Sequence, residues 1–193
     1  MDRNWTRGTL SSVATLLWLL LLSNPVQADP PVGYYNPANG LVGEPLRQAL
    51  HGIVNDHQRF PYTSSATDTW DIVGAADEDP ANPANVITIY RNTSVPWSFQ
   101  NTADGWNREH SWPSSYGYTN DNSCNYPYSD AHQLRASSPS YNSARSNRPY
   151  DWCTGGCTSH VAEGTPFSNL SGGFGSSGSW QVWEDRRGDV ARG

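Results

Sequence analysis

Glu109 and His110 stand side by side in the run Trp106-Asn107-Arg108-Glu109-His110-Ser111-Trp112-Pro113, and this adjacency constrains the fold more than any other feature of the chain. Neighbouring residues on a regular strand project to opposite faces, so both side chains can address one point only where the strand ends or bends. A strand terminus at His110 is therefore expected. Downstream, Asp130-Ala131-His132-Gln133-Leu134 and Asn142 add a second group of polar side chains. Together these residues offer an imidazole base, hard oxygen donors and, in Arg135 and Arg145, fixed positive charge.

A length of 193 residues suits one domain with a real core. Residues 1–28 are expected to lie outside it. Arg3 and Arg7 precede an apolar run over residues 13–22, broken by Thr15 alone, and Val26-Gln27-Ala28 has small residues at both cleavage-site positions. That run makes only about 15 Å of helix against roughly 30 Å of hydrocarbon, so it reads as a secretory signal rather than a membrane anchor. The mature domain is expected over residues 29–193, secreted or periplasmic, monomeric and without stable membrane association.

The net charge of −6 has the wrong sign for a protein that coats nucleic acid electrostatically. A local cationic strip survives, because Arg135, Arg145 and Arg148 fall in a window, residues 131–150, that holds no acid. Every base is arginine, which either genome composition or bidentate phosphate contact accounts for. In an exported chain the three cysteines, Cys124, Cys153 and Cys157, point to one disulfide and one leftover thiol. Cys153 and Cys157 flank a flexible Thr154-Gly155-Gly156 spacer, whereas Cys124 paired with either would close a longer loop, so the connectivity stays open. A zinc site using His160 lacks a second pair of ligands.

Along the chain, Leu46, Ala49, Leu50, Ile53 and Val54 recur at helical spacing behind Pro45, which predicts a helix with one buried face. Trp70, Val73 and Ala76 predict a second helix, stopped by Asp77-Glu78-Asp79-Pro80, an acidic run expected to be a solvated loop. Val86-Ile87-Thr88-Ile89-Tyr90 reads as a strand leading toward the catalytic region. Two extended segments joined by a loop over residues 114–129 should follow, then a small helix with Ser138 as N-cap and Pro139 as first residue, running to Asn147. Residues 171–179, almost all Gly and Ser, read as a flexible loop too poor in apolar side chains to pack.

The ordered set Trp-Asn-Arg-Glu-His-Ser-Trp-Pro, Asp-Ala-His-Gln-Leu, Ser-Pro-Ser-Tyr-Asn-Ser-Ala-Arg-Ser-Asn and Arg-Gly-Asp-Val-Ala-Arg resembles the bacterial endonuclease I family, secreted and periplasmic nucleases, from Leu46 to Arg192. The resemblance implies an α+β fold with a ββα-metal (His-Me finger) core and surrounding helices. It implies cleavage of DNA, and of RNA, with little sequence preference, leaving 5′-phosphate ends. Mg2+, or another divalent cation such as Ca2+ or Mn2+, is the implied cofactor. By the same resemblance His110 is the general base, Glu109 and Asn142 are metal ligands, and Asp130 and His132 support them from the second strand. Asn147 and Arg145 either tie the small helix to its loop or contact phosphate.

The chemistry agrees with that carry-over, since a hard cation stabilises charge on phosphate oxygens while a neutral histidine takes a proton from water. Two departures from the family pattern stand out. Residues 111–129 hold no arginine or lysine where the family places a phosphate-stabilising arginine, so Arg108, Arg135 or Arg145 is expected to supply that charge. The family also continues a helix past the final Arg-Gly-Asp-Val-Ala-Arg, so its C-terminal helical part is expected to be missing here. Two other readings compete: a non-catalytic secreted binding module using nine Trp and ten Tyr as stacking platforms, and an inactive truncated remnant.

Overall fold

The computed structural model describes residues 30–55, 58–122, 125–173 and 178–192. The expected signal segment, residues 1–28, and Cys124 lie outside these residues. The chain divides into two compact units, Met1–Asp56 and His57–Gly193. In the first unit, α1 spans Gly43–Val54 with Pro45 in its first turn, as its periodicity predicts. Its expected buried face is corrected: Leu46, Ala49 and Ile53 are half-buried, and no α1 residue is fully buried. Among the described residues no helix is long and apolar enough to cross a membrane.

The second unit is α+β, with three small antiparallel sheets and short helices. It opens with α2, Thr69–Ala76. Asp68 caps this helix by accepting from Trp70 N, and Asp71 returns a bond to Asp68 N, so two otherwise orphaned donors at the helix start are satisfied. The acidic run after α2 is not a solvated loop. Glu78–Asp79 forms β1, which pairs with β2, Asn82–Ile87, and β2 pairs in turn with β3, Ser94–Pro96. Asp79 is buried and accepts from Ser94 Oγ and Ala81 N, while Asp77 Oδ2 accepts from Ala136 N at 2.6 Å. Hydrogen-bond partners contributed by distant residues explain this tolerance of burial, and sequence spacing does not display them.

The expected strand over residues 86–90 starts four residues earlier and stops at Ile87. Past that point Ile89 N bonds Ala136 O at 2.8 Å, which carries the chain under the next sheet, as its expected course toward the catalytic region required. That sheet pairs β4, Asn107–His110, with β5, Leu134–Ser137, in the register Glu109 opposite Arg135 and His110 opposite Leu134. Helix α3, Pro139–Arg145, follows. It starts where Ser138 and Pro139 predicted but ends two residues early, because Ser146 adopts a left-handed φ of 54° that a continuing helix does not allow. Ser138 also makes no side-chain cap bond; its hydroxyl bonds Ser140 Oγ instead.

The Gly and Ser stretch is corrected in part. Ser168–Gly172 forms β7 between β6, Thr158–Val161, and β8, Ser179–Gln181, so both ends of the expected loop are paired strand. Backbone pairing there compensates for missing side-chain burial. A last helix, α4, spans Arg187–Ala191. Two apolar clusters flank the β4–β5 pair. One holds Val73, Val86, Val95, Trp106, Leu134 and Ala136; the other holds Ile89, Tyr90, Ala162, Trp180, Val182, Trp183 and Val190, with Tyr141 and Ala144 of α3 packed on it. Burying each Val or Leu side chain contributes about 1.5–3 kcal/mol, so β4 and α3 rest on rigid supports. Cys153 and Cys157 form a disulfide, which resolves the open connectivity among the described residues.

Candidate active site

Strand β4 does end at His110, as the adjacency argument demands. Glu109 faces α3, where Arg145 meets it, and His110 stacks on Tyr62, with 5.7 Å between ring centroids and the ring planes nearly parallel. Both residues nonetheless line one cleft of about 310 Å³ with Arg108, Pro113, Ser114, Ser115, Asn142, Ser146 and Asn147. Termination of the strand lets residues from its two faces share this opening.

The tautomer of His110 follows from a single contact. Its Nε2 lies 2.8 Å from Tyr128 O, and a carbonyl only accepts, so Nε2 carries the proton and Nδ1 keeps a free lone pair. Burial lowers the imidazole pKa below the ordinary range; the bond to Tyr128 opposes this, and the charges of Arg108 and Arg145 add to it. The ring is thus a neutral base at pH 7, held among Tyr62, Tyr118 and Tyr128.

Glu109 is 3% exposed. Its Oε1 accepts from Arg145 Nη1 at 2.6 Å and from Tyr90 OH at 2.9 Å, which leaves Oε2 outside these bonds. Burial pushes the carboxyl up, to about 7, with the charge of Arg145 and the two hydrogen bonds pulling it down. Tyr90 OH also meets Tyr150 OH at 2.5 Å, and burial together with the adjacent carboxylate raises the Tyr90 phenol well above its usual value. Asn142, on α3, donates Nδ2 to Asn107 Oδ1 at 2.8 Å and more weakly to Arg108 O at 3.4 Å, so its Oδ1 is the end not held. One carboxylate oxygen and one amide oxygen, each on a side chain anchored by its other polar atom, make a donor set suited to a hard divalent ion that keeps several waters. Among the described residues no group of three His, Cys, Asp or Glu that could hold a metal occurs, in this cleft or outside it, so an ion here would rest on one carboxylate and one amide oxygen.

The arginines stand differently from a phosphate clamp. Arg145 is 1% exposed, and besides Glu109 it donates to His110 O at 2.7 Å, Ser111 O at 2.6 Å and Arg148 O at 3.2 Å. Its burial disfavours charge, but the Glu109 carboxylate together with the Tyr90 and Tyr150 phenols offsets this and raises its pKa. Arg108 lies between the Tyr62 and Trp70 rings and donates to Tyr62 O, Thr69 Oγ1 and Thr63 Oγ1. Arg135 donates to Leu134 O and is not among the cleft residues; it lines a separate cavity with Asp77, Arg186 and Asp189.

Asp130 and His132 bond each other at 3.0 Å, but the His132 side chain is 93% exposed and sits in a turn before β5 rather than on the strand. That placement corrects the expected strand location. Asn147 lines the cleft, and its carbonyl accepts from Tyr116 OH. Three contributors escaped sequence reasoning: Tyr90, Tyr150 and the main-chain oxygen of Tyr128. Tyr90 closes the β-branched run over residues 86–90, a usable signal; the carbonyl of Tyr128 leaves none.

An α+β unit with a polar cleft at a strand end, floored by a buried Glu–Arg pair, is the class these observations define. The chain belongs to the Endonuclease I family, whose sequence model matches residues 42–193. It is 35% identical over 161 residues to the extracellular ribonuclease of Bacillus subtilis (strain 168), covering 82% of this chain and 50% of that protein. The extracellular ribonuclease of Bacillus amyloliquefaciens is likewise 35% identical, over 160 residues, with the same coverage. The chain therefore spans about half the length of the curated relatives it matches. No solved structure matches it.

Proposed function

We propose that this chain is a secreted, metal-dependent endonuclease that hydrolyses phosphodiester bonds in RNA and DNA with little sequence preference and leaves 5′-phosphate ends. Family membership and the names of the two relatives support a nuclease acting outside the cell, with RNA among its substrates. The observation that carries the chemistry is that His110, whose Nε2–H is taken up by Tyr128 O, lines the same cleft as Glu109 and Asn142.

In this reading His110 Nδ1 takes a proton from the attacking water, and Tyr128 O keeps the ring in the tautomer that allows it. Glu109 and Asn142, each with one oxygen left outside its hydrogen bonds, would hold the cation. A divalent ion such as Mg2+, when bound, stabilises charge on the phosphate and leaving oxygens. Arg145 acts through others: it orients Glu109 and fixes the backbone at His110 and Ser111.

The test is cleavage of plasmid DNA and of single-stranded RNA by the full chain with Mg2+, beside EDTA and a His110→Ala variant. Activity should vanish with EDTA and fall by about 100-fold or more in the variant, the usual worth of a general base. Equal turnover by His110→Ala would remove the general-base assignment, and binding without cleavage would favour a non-catalytic module.

A further inference from the structure

We propose that Trp112 and Tyr116 form a stacking platform on the rim of the cleft that selects substrates with unpaired bases beside the scissile phosphate. The inference rests on the nuclease reading and adds a specificity determinant to it. Trp112 is 59% exposed and Tyr116 48% exposed, and both belong to the segment leaving His110. Their rings lie 6.4 Å apart, edge to face. Between them Pro113, Ser114 and Ser115 line the cleft itself, so a nucleotide whose phosphate enters the cleft has its base within reach of these rings.

The platform is braced rather than loose. Tyr118 OH donates to Trp112 O at 2.6 Å, Tyr116 N bonds Pro113 O, and Tyr118 N bonds Ser114 O. Tyr116 OH reaches Asn147 O at 2.7 Å and so ties the turn to the residues that follow α3. Large exposed aromatics cost solvation, and here their backbone is fixed in advance, which lowers the entropy lost when a base stacks on them.

Charge supplies the second argument. The one arginine among the cleft residues, Arg108, is enclosed between two rings with its guanidinium bonded to three oxygens, and the other lining side chains at the rim are Ser114, Ser115, Ser146 and Asn147. With a net charge of −6 and no free arginine among the described residues lining this cleft, side-chain attraction to the phosphate backbone is weak, and stacking carries a larger share of affinity. Stacking needs an exposed base face. A duplex hides its faces, whereas single-stranded RNA and DNA offer them, and the platform does not distinguish the two sugars.

The test compares Trp112→Ala, Tyr116→Ala and Trp112→Phe with the parent full chain. Substrates are one single-stranded oligonucleotide as RNA and as DNA, the same strand with abasic sites, and its duplex. Both alanine variants should raise KM for single strands about fivefold or more, the lower end of what one lost stack costs, with kcat and duplex cleavage little changed. Trp112→Phe should recover most of the loss, and abasic strands should bind the parent as poorly as normal strands bind Trp112→Ala. Trp152→Ala, which removes an equally exposed indole lining a different groove, should change nothing. Equal KM for abasic and normal strands in the parent overturns the platform while leaving the nuclease reading intact. If the parent cleaves nothing, that reading fails instead, and fluorescence anisotropy of a labelled single strand in EDTA decides the platform alone: equal affinity of parent and Trp112→Ala overturns it.

Discussion

Replacing Arg145 by Met keeps most of the side-chain volume and removes the charge with every donor. The structure sets the expected cost. Arg145 and Glu109 are both buried, and among the described residues the 2.6 Å bond between them is the carboxylate's one ion pair. Deleting Arg145 leaves the buried Glu109 carboxyl without its cation, so that it must stay charged and unpaired or take up a proton, a loss of up to about 3–5 kcal/mol. The carbonyls of His110, Ser111 and Arg148 lose donors as well, but their costs overlap with the first because water and small backbone shifts serve all of them. About 4 kcal/mol is therefore expected, from urea unfolding followed by tryptophan fluorescence and compared at constant slope. Glu109→Gln should also destabilise, by stranding the guanidinium. The double variant should be more stable than the sum of the single losses predicts, by about 1–3 kcal/mol, since each single change includes the cost of an abandoned partner. A loss under about 1 kcal/mol in Arg145→Met, or strict additivity in the double variant, would refute the claim that this pair is a coupled buried unit.

Three other outcomes follow from named contacts. Gly74→Ala gains roughly 1 kcal/mol of helix propensity, but the added Cβ overlaps the Trp97 ring packed on α2, so a net loss of about 1–2 kcal/mol is expected in the same unfolding assay; a stabilised variant would contradict the packing. Burial raises the Asp77 carboxyl to about 6, against the opposing bond from Ala136 and the charges of Arg135 and Arg186. The folded state then holds that proton more tightly than the unfolded chain, so this group's contribution is greatest below its unfolded pKa and is lost as pH rises through about 6, by at most about 3 kcal/mol. Asp77→Asn should flatten the fall in stability between about pH 4 and 6, and an unchanged difference across that window would show that the group is not the source. Reducing the Cys153–Cys157 bridge closes off only a short loop constraint, so the melting temperature should drop by the equivalent of about 2 kcal/mol, read by calorimetry with and without reductant.

Local signals in the sequence located the site well because they depend on short-range geometry. Pro139 starts α3 through its fixed φ, and the Glu109–His110 adjacency forces the end of β4. Residues whose role depends on distant partners were harder to read. Asp77 and Asp79 look like solvent-loving charges until Ala136 N and Ser94 Oγ are brought to them by sheet formation. Arg145 sits on a helix whose composition looks polar, yet its guanidinium is closed in by β4 and by Glu109. Ser171, Gly172 and Ser179 carry no apolar signal in the sequence, and their strand character comes from main-chain pairing, Ser171 with Thr158 and Trp180 and Gly172 with Ser179. His132, conversely, carries a motif that suggested a strand, and a turn held by Asp130 displaces it into solvent.

The proton on His110 is assigned by a peptide oxygen rather than by a side chain. Position 128 can therefore change its residue type without disturbing which ring nitrogen is basic, provided the loop keeps its path. A substitution at 128 removes the ring packed on His110 but leaves the proton-fixing oxygen in place, whereas a change of loop length or backbone, such as a one-residue deletion between Asn125 and Asp130, would move that oxygen.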